Sequence, residues 1–246
     1  TMGIWEKLNP VFRANLEREF NFKTPVDDGL NTVEAIAAMN DGRVKVFFAM
    51  GGNFAVASPD TESVAGALQK CELTVQVITK LNRTALWPGK TSLILPCLGR
   101  SEIDRQVGGE QFVSTESTML NVQMSKGIFE PASEHLRSEP WIVSQLAKAT
   151  LGKNTAVDWD KMVANYDHIR EAISRVVPGC ENYNTRIREP GGFYMPNPPG
   201  RREFKTQSGK AVFESQPLEV IRLAPGQLFL TTVRSHGQFN TTIYGF

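Results

Sequence analysis

The chain has 246 residues but only three cysteines, and no two of them form a C-x-x-C pair. This spacing argues against a zinc site or an iron–sulfur cluster held within the chain. A small and odd number of cysteines is typical of proteins in a reducing compartment, so we expect a cytoplasmic location.

Other features that the sequence lacks exclude further classes of function. The sequence has no run of about 18 apolar residues, so no membrane span is expected. The net charge is only +1, with 22% charged residues, which argues against a nucleic-acid-binding surface. Paired carboxylates, a nucleophile elbow and a Cys–His arrangement are also missing, so we predict no catalytic residue and no metal ligand in this chain.

Apolar strands alternate with helices along the first third of the chain. Stretches 44–50, 73–78 and 92–98 predict strands, and Ser58 followed by Pro59 predicts the start of a helix between the first two. This order is typical of a βαβ unit in a parallel sheet, with the first strand buried on both faces. Further elements are predicted as helices at 5–20, 32–40, 140–151 and 159–177 and as short strands at 211–213 and 228–233.

The turn after the first predicted strand is a candidate ligand site. Gly51 and Gly52 let the backbone approach a ligand closely, and Asn53 offers an acceptor and a donor to a ribose or phosphate. A tight strand-to-helix turn without a ligand is the alternative. The turn lacks the G-x-G-x-x-G fingerprint, which argues against an NAD-dependent dehydrogenase. The stretch 89–91 (G-K-T) is no P-loop, because Thr84 replaces its first glycine.

Two more polar stretches follow predicted strands. One places Gln76 near the end of the second strand, with Thr79 and Lys80 in the loop beyond it. The carboxyl ends of parallel strands share one edge of a sheet, so this loop is expected near the GGN turn. The other is rich in hydrogen-bond donors, which suits a polyanionic ligand, and contains Arg234, Ser235, His236, Asn240 and Thr241. For both stretches an ordinary solvated loop is the alternative.

Five stretches carry motifs in a fixed order: "VKVFFAMGGNFAVASPD", "LTVQVITKLNRT", "LILPCLGRSEID", "FKTQSGKAVF" and "LFLTTVRSHGQFNTTIYG". Together they resemble the molybdopterin oxidoreductase family, most closely its branch like the formate dehydrogenase alpha subunit. The resemblance covers residues from about 40 to 246. It implies a C-terminal-half fragment of an enzyme that holds molybdenum or tungsten on two molybdopterin guanine dinucleotides.

The resemblance also implies roles for individual residues. Gly51, Gly52 and Asn53 would contact a guanosine or its phosphates, and Gln76 would lie beside the nucleotide. Glu139 would pair with the guanine edge, because a carboxylate accepts from guanine N1–H and N2–H₂ together. Val77 stands where relatives often have aspartate, so Glu139 or Lys80 is expected to take over base recognition. The pterin would be held by Arg234, Ser235 and His236, with Asn240 and Thr241 on the same loop.

The predicted organisation has three parts. Residues 1–187 would form a Rossmann-like domain, 188–225 an irregular connector with a short hairpin, and 226–246 the first strands of a truncated C-terminal β-barrel domain. The implied partners are the N-terminal half of the same enzyme, a small-molecule substrate and an electron-transfer partner, with any 4Fe–4S cluster outside this chain. The whole enzyme would oxidise formate or a similar small substrate by two electrons, and the fragment alone would be inactive. The alternative function is a stand-alone nucleotide-binding or regulatory module without redox chemistry.

Overall fold

The computed structural model describes residues 9–27, 29–58, 60–218, 220–230, 238–239 and 242–243. Its contacts divide the chain into two compact units, residues 1–196 and 197–246.

A three-stranded parallel sheet with order β1-β2-β3 is the framework of the first unit. Its strands are β1 (Val46–Met50), β2 (Leu73–Ile78) and β3 (Thr91–Pro96). The predicted α/β class and βαβ unit are therefore confirmed. The chain before and between β1 and β2 forms the helices α2 (Thr32–Asn40), α3 (Phe54–Ala57) and α4 (Thr61–Gln69).

Helices α2 and α4 cover one face of this sheet. Met39 of α2 and Val64 and Leu68 of α4 form a buried cluster, and Phe47 of β1 packs against it. Asn31 caps α2 through a capping box with Glu34.

Two local predictions for this region are wrong. β1 is not buried on both faces, because Val46 and Phe48 are 54% and 37% exposed at the edge of the sheet. Ser58 does not cap the long helix either, since the separate helix α3 ends just before it. Asp60 caps α4 instead, with its Oδ1 accepting a hydrogen bond of 3.1 Å from Ser63 N.

The rest of the first unit combines helices with short antiparallel strands. The stretch from 97 to 138 carries no regular pattern in the sequence, yet it contains a two-stranded hairpin and two strands of a three-stranded sheet. The helices are α1 (Pro10–Phe20), α5 (Glu139–Leu151), α6 (Trp159–Ala164), α7 (Asp167–Val176) and α8 (Tyr183–Arg186). The strands are β4 (Arg105–Gln106), β5 (Gly109–Glu110), β6 (Val113–Glu116), β7 (Asn121–Ser125) and β8 (Phe193–Tyr194).

The predicted helix at 159–177 is two helices, α6 and α7, which meet at Asn165 and Tyr166. Asp158 caps α6 as predicted, accepting from Lys161 N at 3.0 Å. Asn165 interrupts the helix because its Oδ1 accepts from Asp167 N at 2.9 Å, a local bond that competes with the helical backbone pattern.

The second unit contains little regular structure among its described residues. A 3-10 turn spans Pro199–Arg201, and a short antiparallel pair joins β9 (Gln238–Phe239) to β10 (Thr242–Ile243). The predicted strand at 211–213 is not formed. Residues 228–230 of the other predicted strand are also not in a strand, and 231–233 lie outside the described residues.

A buried arginine joins α7 to its neighbours. Only 4% of the Arg170 side chain is exposed, and its guanidinium lies 3.8 Å from the centre of the Phe112 ring. It donates to Phe112 O (3.0 Å), to Asn184 Oδ1 (2.8 Å) and to the Asp167 carboxylate. Burial by itself would raise the pKa of Asp167, but hydrogen bonds from Arg188 and Arg170 lower it below its usual range.

Replacing Arg170 with Met should lower the free energy of unfolding by about 3 kcal/mol, because it leaves half-buried acceptors without this donor and removes a buried cation from its partners. Urea denaturation measures this loss. Arg175→Met is the matched control, since Arg175 lies on the same helix but is 48% exposed in its pair with Glu19. We expect that control to cost less than about 1 kcal/mol. Equal losses in the two variants would contradict the assignment of Arg170 as a structural centre.

Candidate functional site

The carboxyl ends of the three parallel strands form one rim, which we define as residues 51–53, 79–80, 97–99 and Glu139. Gly51 and Gly52 follow β1 with φ angles of +64° and +69°, a backbone conformation that favours glycine. Gly51 N donates to Val77 O at 2.8 Å, which extends the pairing with β2 into the turn. A Cβ added to Gly52 would meet no atom within 4 Å, so open space lies beside the turn.

Asn53 holds this turn against the loop that follows β2. Its Oδ1 accepts from Thr84 Oγ1 (2.9 Å) and Thr84 N (3.3 Å), and Ala55 N in turn donates to Thr84 Oγ1 at 3.1 Å. Asn82 adds a bond of 2.7 Å from its Nδ2 to Gly52 O. The Asn53 Oδ1 atom, which the sequence suggests as an acceptor for a ligand, therefore accepts hydrogen bonds from within the protein. The Asn53 amide nitrogen has no partner in the described part of the chain.

Glu139 lies beside the turn although 88 positions separate it from Gly51. A Cβ placed on Gly51 would lie 3.8 Å from Glu139 Oε1. The segment before α5 is held at the rim by backbone pairing with the residues after β3, since Leu98 N donates to Arg137 O at 3.0 Å and Cys97 bridges Arg137. The structure therefore brings together the GGN turn and an exposed carboxylate at the first residue of a 13-residue helix.

The other predicted residues fall into three groups. Thr79 and Lys80 lie exposed on the rim directly after β2. Gln76 lies within β2 opposite Ala49 and Ile94 and is 2% exposed, so its side chain belongs to the interior of the sheet and not to the open surface of the rim. The remaining predicted residues lie outside the described residues: Arg234, Ser235, His236, Asn240 and Thr241.

Glu102 is a rim-organising residue that the sequence did not single out. Its carboxylate accepts from Gly99 N at 2.6 Å and from Ala132 N at 2.9 Å, and so joins two loops. Burial, followed by the charges of Glu139 and Glu102, raises the pKa of Cys97 to about 11. The Cys97 thiol therefore stays neutral and acts as a packing group at this position.

A polar network of buried and half-buried residues holds the start of α5. Tyr166 Oη lies 2.6 Å from Ser138 Oγ and donates to Asp104 Oδ2 at 2.5 Å, while Gln106 Nε2 donates to Asp104 Oδ1 at 2.6 Å. Burial is the main cause that raises the pKa of Tyr166, with a smaller effect of the bond to Asp104, so the phenol stays protonated. Sequence alone offers no signal for this network, because its members come from three separate segments.

A cleft of about 270 Å³ is lined by Leu98 of the rim and by Ser138, which precedes Glu139 in the chain. Its wall also includes Trp141, in the first turn of α5. The Arg137 guanidinium lies 5.6 Å from the centre of the Trp141 ring and donates to the carbonyls of Glu134 and Leu136. The cleft therefore presents an aromatic ring and a cationic group, and it shares Leu98 with the rim.

Comparisons with known proteins find relatives that match most or all of this chain. A protein of Mycobacterium tuberculosis (strain H37Rv) named an uncharacterized oxidoreductase is 52% identical over 246 residues, which is 100% of this chain and 32% of the relative. Protein YdeP of Escherichia coli K12 is 42% identical over 248 residues, again 100% of this chain and 32% of the relative. The assimilatory nitrate reductase catalytic subunit of Bacillus subtilis is 27% identical over 233 residues, which is 87% of this chain and 31% of the relative.

The relatives from M. tuberculosis and B. subtilis carry oxidoreductase names, so the chain is similar to oxidoreductases. It spans about a third of the length of the curated relatives that it matches. No protein-family profile matches the sequence. In the described residues, no helix is long and apolar enough to cross a membrane, and no group of three or more His, Cys, Asp or Glu residues is arranged to hold a metal ion.

Replacing Thr84 with Val should destabilise the turn, because the substitution removes the hydroxyl that joins Asn53 to Ala55. Ala55 is 0% exposed, and its amide would lose its acceptor. Asn53 Oδ1 would lose its closest donor. We expect a loss of about 2 kcal/mol in urea denaturation, together with faster hydrogen exchange at the Ala55 amide. Thr84→Ser keeps the hydroxyl and is the matched control, with a smaller loss. If Val and Ser variants exchange this amide at the same rate, the hydroxyl does not hold the turn.

Proposed function

We propose that this chain is a cofactor-binding portion of a molybdenum or tungsten oxidoreductase and that its rim holds the guanosine end of a molybdopterin guanine dinucleotide. The observation that carries the proposal is the approach of Glu139 to Gly51, with open space beside Gly52. The order of the five motifs and the similarity to oxidoreductases support it.

The donors and acceptors at the rim fit such a group. The Glu139 carboxylate can accept from guanine N1–H and N2–H₂, which adenine cannot supply in the same pattern. Lys80 is an exposed cation on the same rim and can neutralise a phosphate, while the Asn53 amide nitrogen remains available as a donor. Gln76 is buried and is therefore not part of this set of donors and acceptors, so we assign base recognition to Glu139.

The molybdenum or tungsten centre would supply two-electron redox chemistry when bound, and the residues of this chain would bind and orient the cofactor that carries it. Two classes of substrate follow for the whole protein. The resemblance to formate dehydrogenase points to formate or a similar small substrate, and the relative named a nitrate reductase points to nitrate. Both substrates are small anions that react by two-electron steps.

Replacing Glu139 with Gln should weaken binding of GMP to the chain about tenfold and leave AMP binding unchanged, because an amide presents one acceptor to guanine where a carboxylate presents two. Isothermal titration with both nucleotides measures this. Glu134→Gln is the matched control, since Glu134 lies on the preceding loop with its side chain 89% exposed. An unchanged GMP affinity in the Glu139 variant, or an equal loss for AMP, would place the guanosine elsewhere.

The redox part of the proposal has its own test. The full-length protein that contains these residues should hold about one molybdenum or tungsten atom per chain by elemental analysis and release guanine nucleotide on denaturation. It should also transfer electrons with formate or nitrate in the presence of an artificial dye. GMP binding to the rim without either metal would favour a nucleotide-binding module without redox chemistry. Absence of both metal and nucleotide would contradict the proposal as a whole.

A further inference from the structure

Four polar side chains at the start of α5 form a closed ring of hydrogen bonds. Gln106 Nε2 donates to Asp104 Oδ1 at 2.6 Å and to Ser138 Oγ at 3.3 Å. Ser138 Oγ and Tyr166 Oη lie 2.6 Å apart, and Tyr166 Oη donates to Asp104 Oδ2 at 2.5 Å, which closes the ring. Ser138 and Tyr166 are 6% and 2% exposed, so their hydroxyls lie in the interior, where an unmade hydrogen bond is costly.

The direction of each hydrogen bond in the ring follows from its members. The Asp104 carboxylate only accepts, so the Tyr166 hydroxyl donates to it. Burial, with a smaller effect of this bond, raises the pKa of Tyr166, and the phenol keeps its proton. Ser138 Oγ–H therefore donates to Tyr166 Oη, while Ser138 Oγ accepts from Gln106. Neither hydroxyl can rotate without breaking a hydrogen bond of the ring.

The ring withdraws the Ser138 hydroxyl from the usual function of an N-cap residue. A serine that precedes a helix normally accepts from a backbone amide two or three residues further on. Ser138 makes no such bond, although it occupies the N-cap position of α5. It bonds instead to Tyr166, which is 28 positions away in the chain. The Ser138 side chain thus attaches α5 to a distant segment at the expense of a local cap, which indicates that the place of the helix start matters.

The two residues before Glu139 are fixed in different ways. The main chain of Arg137 is fixed at the end of β3, because its carbonyl accepts from Leu98 N at 3.0 Å. Ser138 is fixed by its side chain in the ring. Glu139 follows directly, and its Oε1 lies 3.8 Å from the position of a Cβ on Gly51. The Glu139 side chain makes no hydrogen bond or ion pair within the described residues, so its place at the rim depends on the backbone that carries it.

We propose that Tyr166 is a positioning residue for guanine selectivity at the rim, acting through Ser138 on the Glu139 carboxylate. This inference rests on the proposed function, in which Glu139 accepts from guanine N1–H and N2–H₂. Two parallel hydrogen bonds need both carboxylate oxygens aligned with the base edge, and such bonds weaken steeply when they are misaligned. A shift of the start of α5 would therefore weaken the contact with guanine and leave the glycine turn, which belongs to another segment, in place.

Replacing Tyr166 with Phe removes one hydroxyl and opens the ring. Isothermal titration of the 246-residue chain should then show GMP affinity about fivefold lower and AMP affinity unchanged, because only guanine uses the carboxylate. Tyr183→Phe is the matched control, since Tyr183 is 1% exposed and its Oη donates to Ser114 Oγ at 2.8 Å in the cluster around α7 and α8. This control should keep the ratio of the two affinities. An equal change of the ratio in both variants would overturn the proposal.

A double substitution tests whether Tyr166 acts through Glu139. Tyr166→Phe in a chain that already carries Glu139→Gln should cause no further loss of GMP affinity, because the carboxylate that Tyr166 positions is then absent. Additive losses would overturn the proposal. Ser138→Ala opens the same ring and should lower GMP affinity as much as Tyr166→Phe does. It decides the question if the Tyr166 variant does not fold, and an unchanged ratio of GMP to AMP affinity in it would contradict the positioning role.

These outcomes separate the positioning role from the proposed function. If Glu139→Gln leaves GMP affinity unchanged, the guanosine lies elsewhere and both proposals fail. If Glu139→Gln lowers GMP affinity while Tyr166→Phe and Ser138→Ala keep the ratio of the unsubstituted chain, the proposed function stands and only the role of Tyr166 is overturned.

Discussion

The backbone pairing of Cys97 and Leu98 with Arg137 is the contact on which the candidate site depends. It attaches the segment before α5 to the carboxyl end of the parallel sheet, at the point where β3 ends. Helix α5 therefore begins at the rim, and its first residue, Glu139, reaches the turn after β1. Without this pairing the glycine turn and the carboxylate would belong to unrelated parts of the molecule.

The start of α5 is also held by a polar network of buried and half-buried side chains. Ser138, the cap residue of α5, does not use its hydroxyl to cap the helix and instead meets Tyr166 at 2.6 Å. Asp104 accepts from the same tyrosine, so a residue between α6 and α7 fixes the approach of α5. Buried networks of this kind are costly when incomplete, which makes the geometry of the helix start well defined. The proposed contact of Glu139 with a guanine edge would need such a rigid support, because a hydrogen bond weakens quickly with misplacement.

Much of the parallel framework could be predicted from the sequence. The strand at 73–78 was predicted with its observed bounds, and α2 and α5 also follow the predicted pattern, because apolar periodicity and local caps act within one segment. The break between α6 and α7 could not be predicted in the same way. It depends on Asn165 Oδ1 accepting from Asp167 N and on Tyr166 reaching Ser138 and Asp104, which are 28 and 62 positions away. The antiparallel strands between β3 and α5 are two to five residues long, too short for a clear alternation.

The candidate site also combines features that could be predicted from the sequence with features that could not. The sequence by itself determined that a glycine turn follows a parallel strand, because the left-handed backbone at Gly51 and Gly52 is a local requirement that glycine meets without strain. It also suggested Asn53 as a ligand group, but the tertiary structure directs the Asn53 acceptor to Thr84 and buries Gln76 in the sheet. The resemblance implied that Glu139 and Gly51 share one site, and the tertiary structure places the Glu139 carboxylate beside Gly51. Contacts between distant segments depend on how whole elements pack, and the spacing of residues along one segment carries no information about that packing.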